Sequence, residues 1–195
     1  MQDSPLNIVR GRDVSFIKEV EAESGQNVSN CYQCGNCTAG CPAAFTYDMQ
    51  ANQVMRAVQL GLKDQVLHSK SIWMCLSCST CSLRCPNNID VASVMETLRH
   101  MARRENIVAV PRMDKFWMSF LNTVQAFGRS FEIGTMVLYM LRSLRLTTDV
   151  DLAPSALSKG KLGFKPHVIP DGGAKAVGRI FKRYQERAKR EGVRP

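Results

Sequence analysis

Cys31–Pro42 reads CYQCGNCTAGCP and Cys75–Pro86 reads CLSCSTCSLRCP. The two stretches share one spacing at an offset of 44 residues, and between them they hold all eight cysteines of the 195-residue chain. Three chemistries compete for such a pattern. Disulfides need an oxidising compartment, and MQDSPLNIVRGRD at the start has no apolar run behind a basic segment to read as a secretory signal. A chain of this size also builds a core without staples. Structural zinc takes four ligands, usually as two separated C-x2-C knuckles. Here each knuckle continues to a third cysteine, Cys37 or Cys81, and then to a fourth, Cys41 or Cys85, each followed by proline. A tetrahedral ion gains nothing from three thiolates in one tight loop.

The run C-x2-C-x2-C-x3-C-P fits a third chemistry position by position. It is the bacterial ferredoxin pattern, in which three closely spaced thiolates hold three corners of one cubane and the fourth points to a second cubane. Two such runs cross-ligate. Cys31, Cys34 and Cys37 then join Cys85 on one cluster, and Cys75, Cys78 and Cys81 join Cys41 on the other. The expectation is two [4Fe-4S] clusters with no thiol left over. Pro42 and Pro86 turn the chain out of each loop without an unpaired N–H. Gly35 and Gly40 offer close backbone approach to the sulfurs and positive φ where it is needed. Tyr32, Ile72 and Trp73 flank the runs as candidate shields against water. For Trp73, ordinary core packing accounts equally well.

The surrounding pattern is helical. Asp13–Ser24 predicts a short helix with Phe16, Ile17 and Val20 inward and Gly25 at its end. DMQANQVMRAVQLG follows the first run, with Asp48 as a candidate cap and Gly61 as a stop. NIDVASVMETLRHMA follows the second, with Val91, Val94, Met95, Leu98 and Met101 on one face behind Asp90 as a cap. No alternating strand pattern intervenes, which disfavours the small β-containing ferredoxin fold. The fold class expected is mainly α: a helical ferredoxin-like domain with two cluster-binding loops, a helical hairpin and a C-terminal extension.

The divisions read from the sequence are an N-terminal helical segment over 1–28, the two-cluster domain over 29–106, an apolar hairpin over 107–146, and a connector with a basic tail over 147–195. Pro111 starts the first hairpin helix, which carries Phe116, Trp117, Phe120, Leu121, Val124 and Phe127. Ile133–Leu146 forms the second, with Val137, Leu138, Leu141 and Leu144. Such a hairpin either covers the cluster domain or docks on a partner or a membrane face. Its longest uncharged apolar stretch, Phe116–Gly128, is shorter than the about 20 residues a spanning helix needs. The chain therefore reads as soluble and cytoplasmic, with membrane association not favoured. Thr147–Gly173 reads as an extended connector, with Pro154, Pro166, Pro170 and the Asp171-Gly172-Gly173 turn.

Charge is unevenly spread. Of the formal +9, the last 23 residues contribute +6, from eight Lys or Arg against Glu186 and Glu191. AKAVGRIFKRYQERAKREG spaces Val177, Ile180, Phe181, Tyr184 and Ala188 as an amphipathic helix with a basic face. A solvated face, an acidic protein partner and an anionic surface all suit it. Nucleic acid is not expected, because no DNA-binding motif accompanies the tail. No G-x-G-x-x-G follows a strand and no phosphate-binding loop occurs. His68, His100 and His167 are scattered, and no nucleophile–base pair stands out. No catalytic residue is assigned, and the pattern points to single-electron transfer between partners.

NCYQCGNCTAGCPAAFTYDMQANQVMRAVQLG and SIWMCLSCSTCSLRCPNNIDVASVMETLRHMA resemble the C-type subunits of heterodisulfide reductase, from Asn30 to about Asn106. The resemblance implies an α-helical ferredoxin fold, an anaerobic setting and a non-catalytic electron-transfer component of an oxidoreductase complex. It further implies two heterodisulfide reductase partners. One is an A-type flavin and iron–sulfur protein that supplies electrons. The other is a B-type protein whose Cys-Cys-Gly-rich motifs hold the disulfide-reducing site. No adjacent cysteine pair occurs in this chain. The alternative reading is the iron–sulfur component of a membrane-associated dehydrogenase or quinone-linked oxidoreductase.

Overall fold

The structure is a computed structural model that describes residues 13–144, 153–159, 169 and 172–190. The chain divides into two compact units, Met1–Val110 and Pro111–Pro195. The described residues are mainly helical and include no strand. Most of the connector expected over 147–173, residues 145 and 146 of the second hairpin helix, and residues 1–12 of the N-terminal segment lie outside the described residues.

The first unit runs α1 (Val14–Ser24), α2 (Asn36–Ala39), α3 (Ala51–Gln59), α4 (Lys63–Leu67), α5 (Ser71–Met74), α6 (Thr80–Leu83) and α7 (Val91–Arg104). Asp13 caps α1 by accepting from Ser15 N at 2.8 Å and Phe16 N at 3.1 Å. Phe16 and Val20 of α1 are fully buried with Val54, Met55 and Val58 of α3, Ile72 and Trp73 of α5, and Leu98 and Met101 of α7. Each such side chain contributes about 1.5–3 kcal/mol by leaving water. Phe16, Val20 and Val28 therefore share one core with the cluster-bearing residues.

Gly61 ends the turn after α3 at φ 68° and fixes where α1 begins. Its carbonyl accepts from Asp13 N at 2.8 Å. A Cβ on Gly61 would stand 2.8 Å from that same nitrogen, so only glycine fits. Asp90 caps α7 through Ser93 N at 3.1 Å, as its position predicts.

Asp48 has a different task from the cap expected of it. Gln50 occupies the position before α3, and its N–H donates to the Gln53 side chain at 2.7 Å. The Asp48 carboxylate instead reaches the segment before the second cysteine run. It accepts from Lys70 N at 2.8 Å, Ser71 N at 3.1 Å, and the hydroxyls of Ser69 and Ser71 at 2.7 Å each. Burial pushes its pKa up, but these bonds outweigh burial and hold it at about 2. A local helix end thus loses its carboxylate to a long-range anchor with more donors.

The second unit comprises α8 (Pro111–Phe127), α9 (Glu132–Ser143), α10 (Ala153–Ser158) and α11 (Gly173–Arg190). The α8–α9 hairpin forms as read, and polar side chains sit deepest in its seam. Ser119, Thr123 and Thr135 are the buried side chains of the seam, with Thr123 Oγ1 3.1 Å from Thr135 Oγ1 and Arg142 donating to Ser119 Oγ at 3.4 Å. Leu141 and Val137 are exposed. Small polar side chains let the two backbones approach, and Phe116 of α8 packs edge-on against Tyr139 of α9. Aromatic edges line α8, with Trp117 in T-shaped contact with Phe116 and Phe120. The helix α11 packs on α8 and buries Ala188, while Ile180 and Tyr184 stay exposed beside its basic residues. No described helix is long and apolar enough to cross a membrane.

Candidate iron–sulfur centre

The two cysteine runs take the same backbone path. Gln33 and Ser77, 44 residues apart, both have positive φ, at 65° and 50°. Gly35 and Ser79, also 44 apart, repeat this at 80° and 58°. Non-glycine residues adopt this region at a cost of order 1–3 kcal/mol, and such positions cluster at binding sites. Each run then enters a one-turn helix, α2 or α6, that carries its third cysteine. Reversals of this kind turn successive backbone N–H groups toward a shared concavity suited to an anion, as in many iron–sulfur sites. The helices α2 and α6 pack together, so the loops are neighbours.

None of the eight cysteines is in a disulfide. Cys41 leaves its own run and lines a cavity with Cys75, Cys78 and Cys81. This cavity is partly open to solvent, and Tyr47, Val91 and Met95 contribute to its walls. Four cysteines lining one apolar hollow are the donor set that a cubane takes, and thiolates are its ordinary ligands. On the other side, the Asn87 side chain, just after Cys85-Pro86, donates to Asn30 O, just before Cys31. Tyr32 feels both Cys34 and Cys85, and Gln59 Nε2 donates to Cys31 O at 2.8 Å. These contacts bring Cys85 to the first run.

Donors to sulfur are already in place. Gln33 Nε2 donates to Cys31 Sγ at 3.3 Å, Ile89 N donates to Cys85 Sγ at 3.4 Å, and Thr80 Oγ1 lies 3.4 Å from Cys78 Sγ. The Thr80 hydroxyl lowers the Cys78 pKa, since a hydrogen bond to the thiolate favours it. Burial pushes Cys37 up, and pushes Cys81 up to about 11. Loading must displace protons from these buried thiols. Burial and contact with Cys41 and Cys75 also raise the Tyr47 pKa, so that hydroxyl keeps its proton beside the sulfurs.

Arg99 supports the second run from behind, donating to Ile72 O at 2.8 Å and Cys75 O at 3.0 Å. Neither Arg99 nor Tyr47 is legible as a site residue in the sequence. Tyr47 stands only six residues after Cys41, the one hint available. Ile72 and Trp73, read as candidate shields, are core residues and do not line the cavity. Tyr32 is exposed rather than inward. Gly40 keeps a negative φ and lies against the Arg84 side chain rather than a cluster, while Gly35 supplies the positive φ.

A mainly helical fold with eight cysteines in two linked loops defines an iron–sulfur protein of the two-cluster kind. The 4Fe-4S dicluster domain family matches residues 19–90, and the chain binds two [4Fe-4S] clusters. Its cluster-bearing part is similar to the C-type subunits of heterodisulfide reductases. The C-type subunit of the H(2):CoB-CoM heterodisulfide,ferredoxin reductase of Methanothermobacter thermautotrophicus is 31% identical over 105 residues, 53% of this chain and 57% of that protein. The C-type iron-sulfur subunit of the CoB--CoM heterodisulfide reductase of Methanopyrus kandleri is 37% identical over 112 residues, 52% and 58% of the two chains. The C-type subunit of the Ferredoxin:CoB-CoM heterodisulfide reductase of Methanosarcina acetivorans is 39% identical over 90 residues, 46% and 36%. The chain thus spans little more than half the length of the first two relatives.

Proposed function

We propose that this chain relays single electrons inside a heterodisulfide-reductase-like complex, from a flavin and iron–sulfur protein to a Cys-Cys-Gly-rich disulfide-reducing protein. The observation that carries the reading is Cys41, 34 residues before Cys75, lining one cavity with Cys75, Cys78 and Cys81. In the proposed ligand set those four hold one cluster, and Cys31, Cys34, Cys37 and Cys85 hold the other. When bound, the clusters supply reversible one-electron chemistry. The chain positions the thiolates on two strained loops, donates hydrogen bonds to Cys31, Cys78 and Cys85, and walls one site with apolar side chains. Hydrogen bonds and burial are the levers by which a protein sets cluster potentials.

The relay belongs in the cytoplasm, where thiols stay reduced. Residues 29–106 act as the conducting domain, the hairpin over 107–146 as an accessory element and the tail over 147–195 as a clasp. Purification of the native complex under anaerobic conditions, with its components identified by mass spectrometry, tests the proposal. Co-purification of a flavin-binding protein and a Cys-Cys-Gly-rich protein is expected. A quinone-linked membrane dehydrogenase in their place would contradict it.

A further inference from the structure

The 44-residue repeat extends to the backbone behind each run, and there its two halves differ in charge. Val28 and Cys31 of the first half correspond to Ile72 and Cys75 of the second. In the first half, Gln59 Nε2 donates to Val28 O at 2.9 Å and to Cys31 O at 2.8 Å. In the second, Arg99 donates from Nε to Ile72 O at 2.8 Å and from Nη2 to Cys75 O at 3.0 Å. The same pair of carbonyls is held from the helix that follows each run, α3 or α7. One half uses a neutral amide and the other a guanidinium.

The amide shows that hydrogen bonding alone does not call for a cation at this place. A guanidinium in a protein is always charged. Arg99 is half-buried and forms no salt bridge among the described residues. Its charge is therefore only partly screened, and it lies one hydrogen bond from the backbone of a ligand cysteine. Two carboxylates also bond to this half. Asp48 bonds at residues 69–71, at the start of α5. Asp90 accepts from Ser82 Oγ, where the first half has Thr38 donating to the neutral Asn52. Neither carboxylate bonds the backbone of a cysteine, as Arg99 does. Arg84, exposed and lying across Gly40 where the two runs meet, does not distinguish them.

We propose that Arg99 is a potential-setting residue whose charge favours the reduced form of the cluster on Cys75, while the cluster on Cys31 has only the neutral Gln59 behind it. The inference rests on the ligand set proposed above and adds a residue that acts on one cluster and not the other. Reduction adds one electron to a cluster, and a fixed cation nearby stabilises the more negative form. No proton moves and no bond changes at Arg99.

Redox titration of the full chain with both clusters loaded, with dithionite as the one-electron source and EPR as the readout, tests this. Loss of a signal in Cys75→Ala or in Cys31→Ala assigns each cluster. Arg99→Gln, which reproduces the contact of the first half, is expected to shift the reduction equilibrium of the Cys75 cluster about tenfold toward the oxidised form. That shift is about 59 mV for one electron, and the Cys31 cluster is expected to stay unchanged. Arg99→Lys, which keeps the charge, is expected to remain near wild type. Gln59→Arg is expected to raise the potential of the Cys31 cluster, and it carries the test if Arg99→Gln does not load. An equal shift of both clusters, or no shift in a loaded variant, would overturn the role of the charge and leave the ligand set intact. So would a fall in Arg99→Lys as large as in Arg99→Gln. A single shared signal lost in every cysteine variant would overturn the ligand set and the inference together.

Discussion

Arg84 lies across Gly40 so closely that a Cβ on Gly40 would stand 2.6 Å from Arg84 Nε. The two residues are repeat equivalents, 44 apart, and each precedes the fourth cysteine of its run. The loops therefore meet just before Cys41 and Cys85. Because the opposing atoms belong to a flexible side chain, Gly40→Ala displaces the arginine and not the backbone. Both clusters should be retained, with a loss of stability of about 1 kcal/mol or less by chemical unfolding.

Gly61→Ala should be far more damaging. The added carbon meets the backbone of Asp13, and the residue is held at φ 68°. Strain and displacement of the α1 cap combine, and a loss of about 2–4 kcal/mol is expected. Unfolding curves for the two glycine variants, recorded side by side, check the order.

Asp48→Ala removes four hydrogen bonds to the segment before Cys75. Because the carboxylate is partly exposed, the expected cost is discounted to about 1–2 kcal/mol. The sign of its pH dependence follows from a folded pKa of about 2 against the ordinary 3.8. Its contribution is complete above that ordinary value and is lost as pH falls through about 2. The difference between wild type and variant should therefore be the same at pH 6 and pH 8, as denaturant titration at both pH values can show.

The α8–α9 hairpin makes opposite predictions for its two faces. Leu141→Gln on the exposed stripe should leave the stability of the chain within about 0.5 kcal/mol of wild type. Ser119→Leu in the seam should cost about 1–3 kcal/mol by overpacking. Thermal unfolding of the two variants separates a polar seam from a buried apolar one.

The helix pattern and the thiol framework were legible because both rest on short-range spacing. Asp13, Asp90 and Gly61 punctuate helices where local rules place them. Asp48 does not cap α3, because the nearby helix start competes with four donors at residues 69–71, and long-range competition leaves no local trace. Periodicity grouped Val137 and Leu141 on one face of α9 but could not say which face meets α8. That depends on Ser119, Thr123 and Thr135 closing the seam. Tyr47 and Arg99 act through tertiary placement alone, and no motif marks them.

The most direct test of the cross-ligated pair is to replace single cysteines with alanine and record the EPR spectra of the reduced protein. Cys41→Ala and Cys75→Ala should lose the same signal, and Cys85→Ala and Cys31→Ala should lose the other. If Cys41→Ala instead matches Cys31→Ala, each run holds its own cluster and the account is wrong.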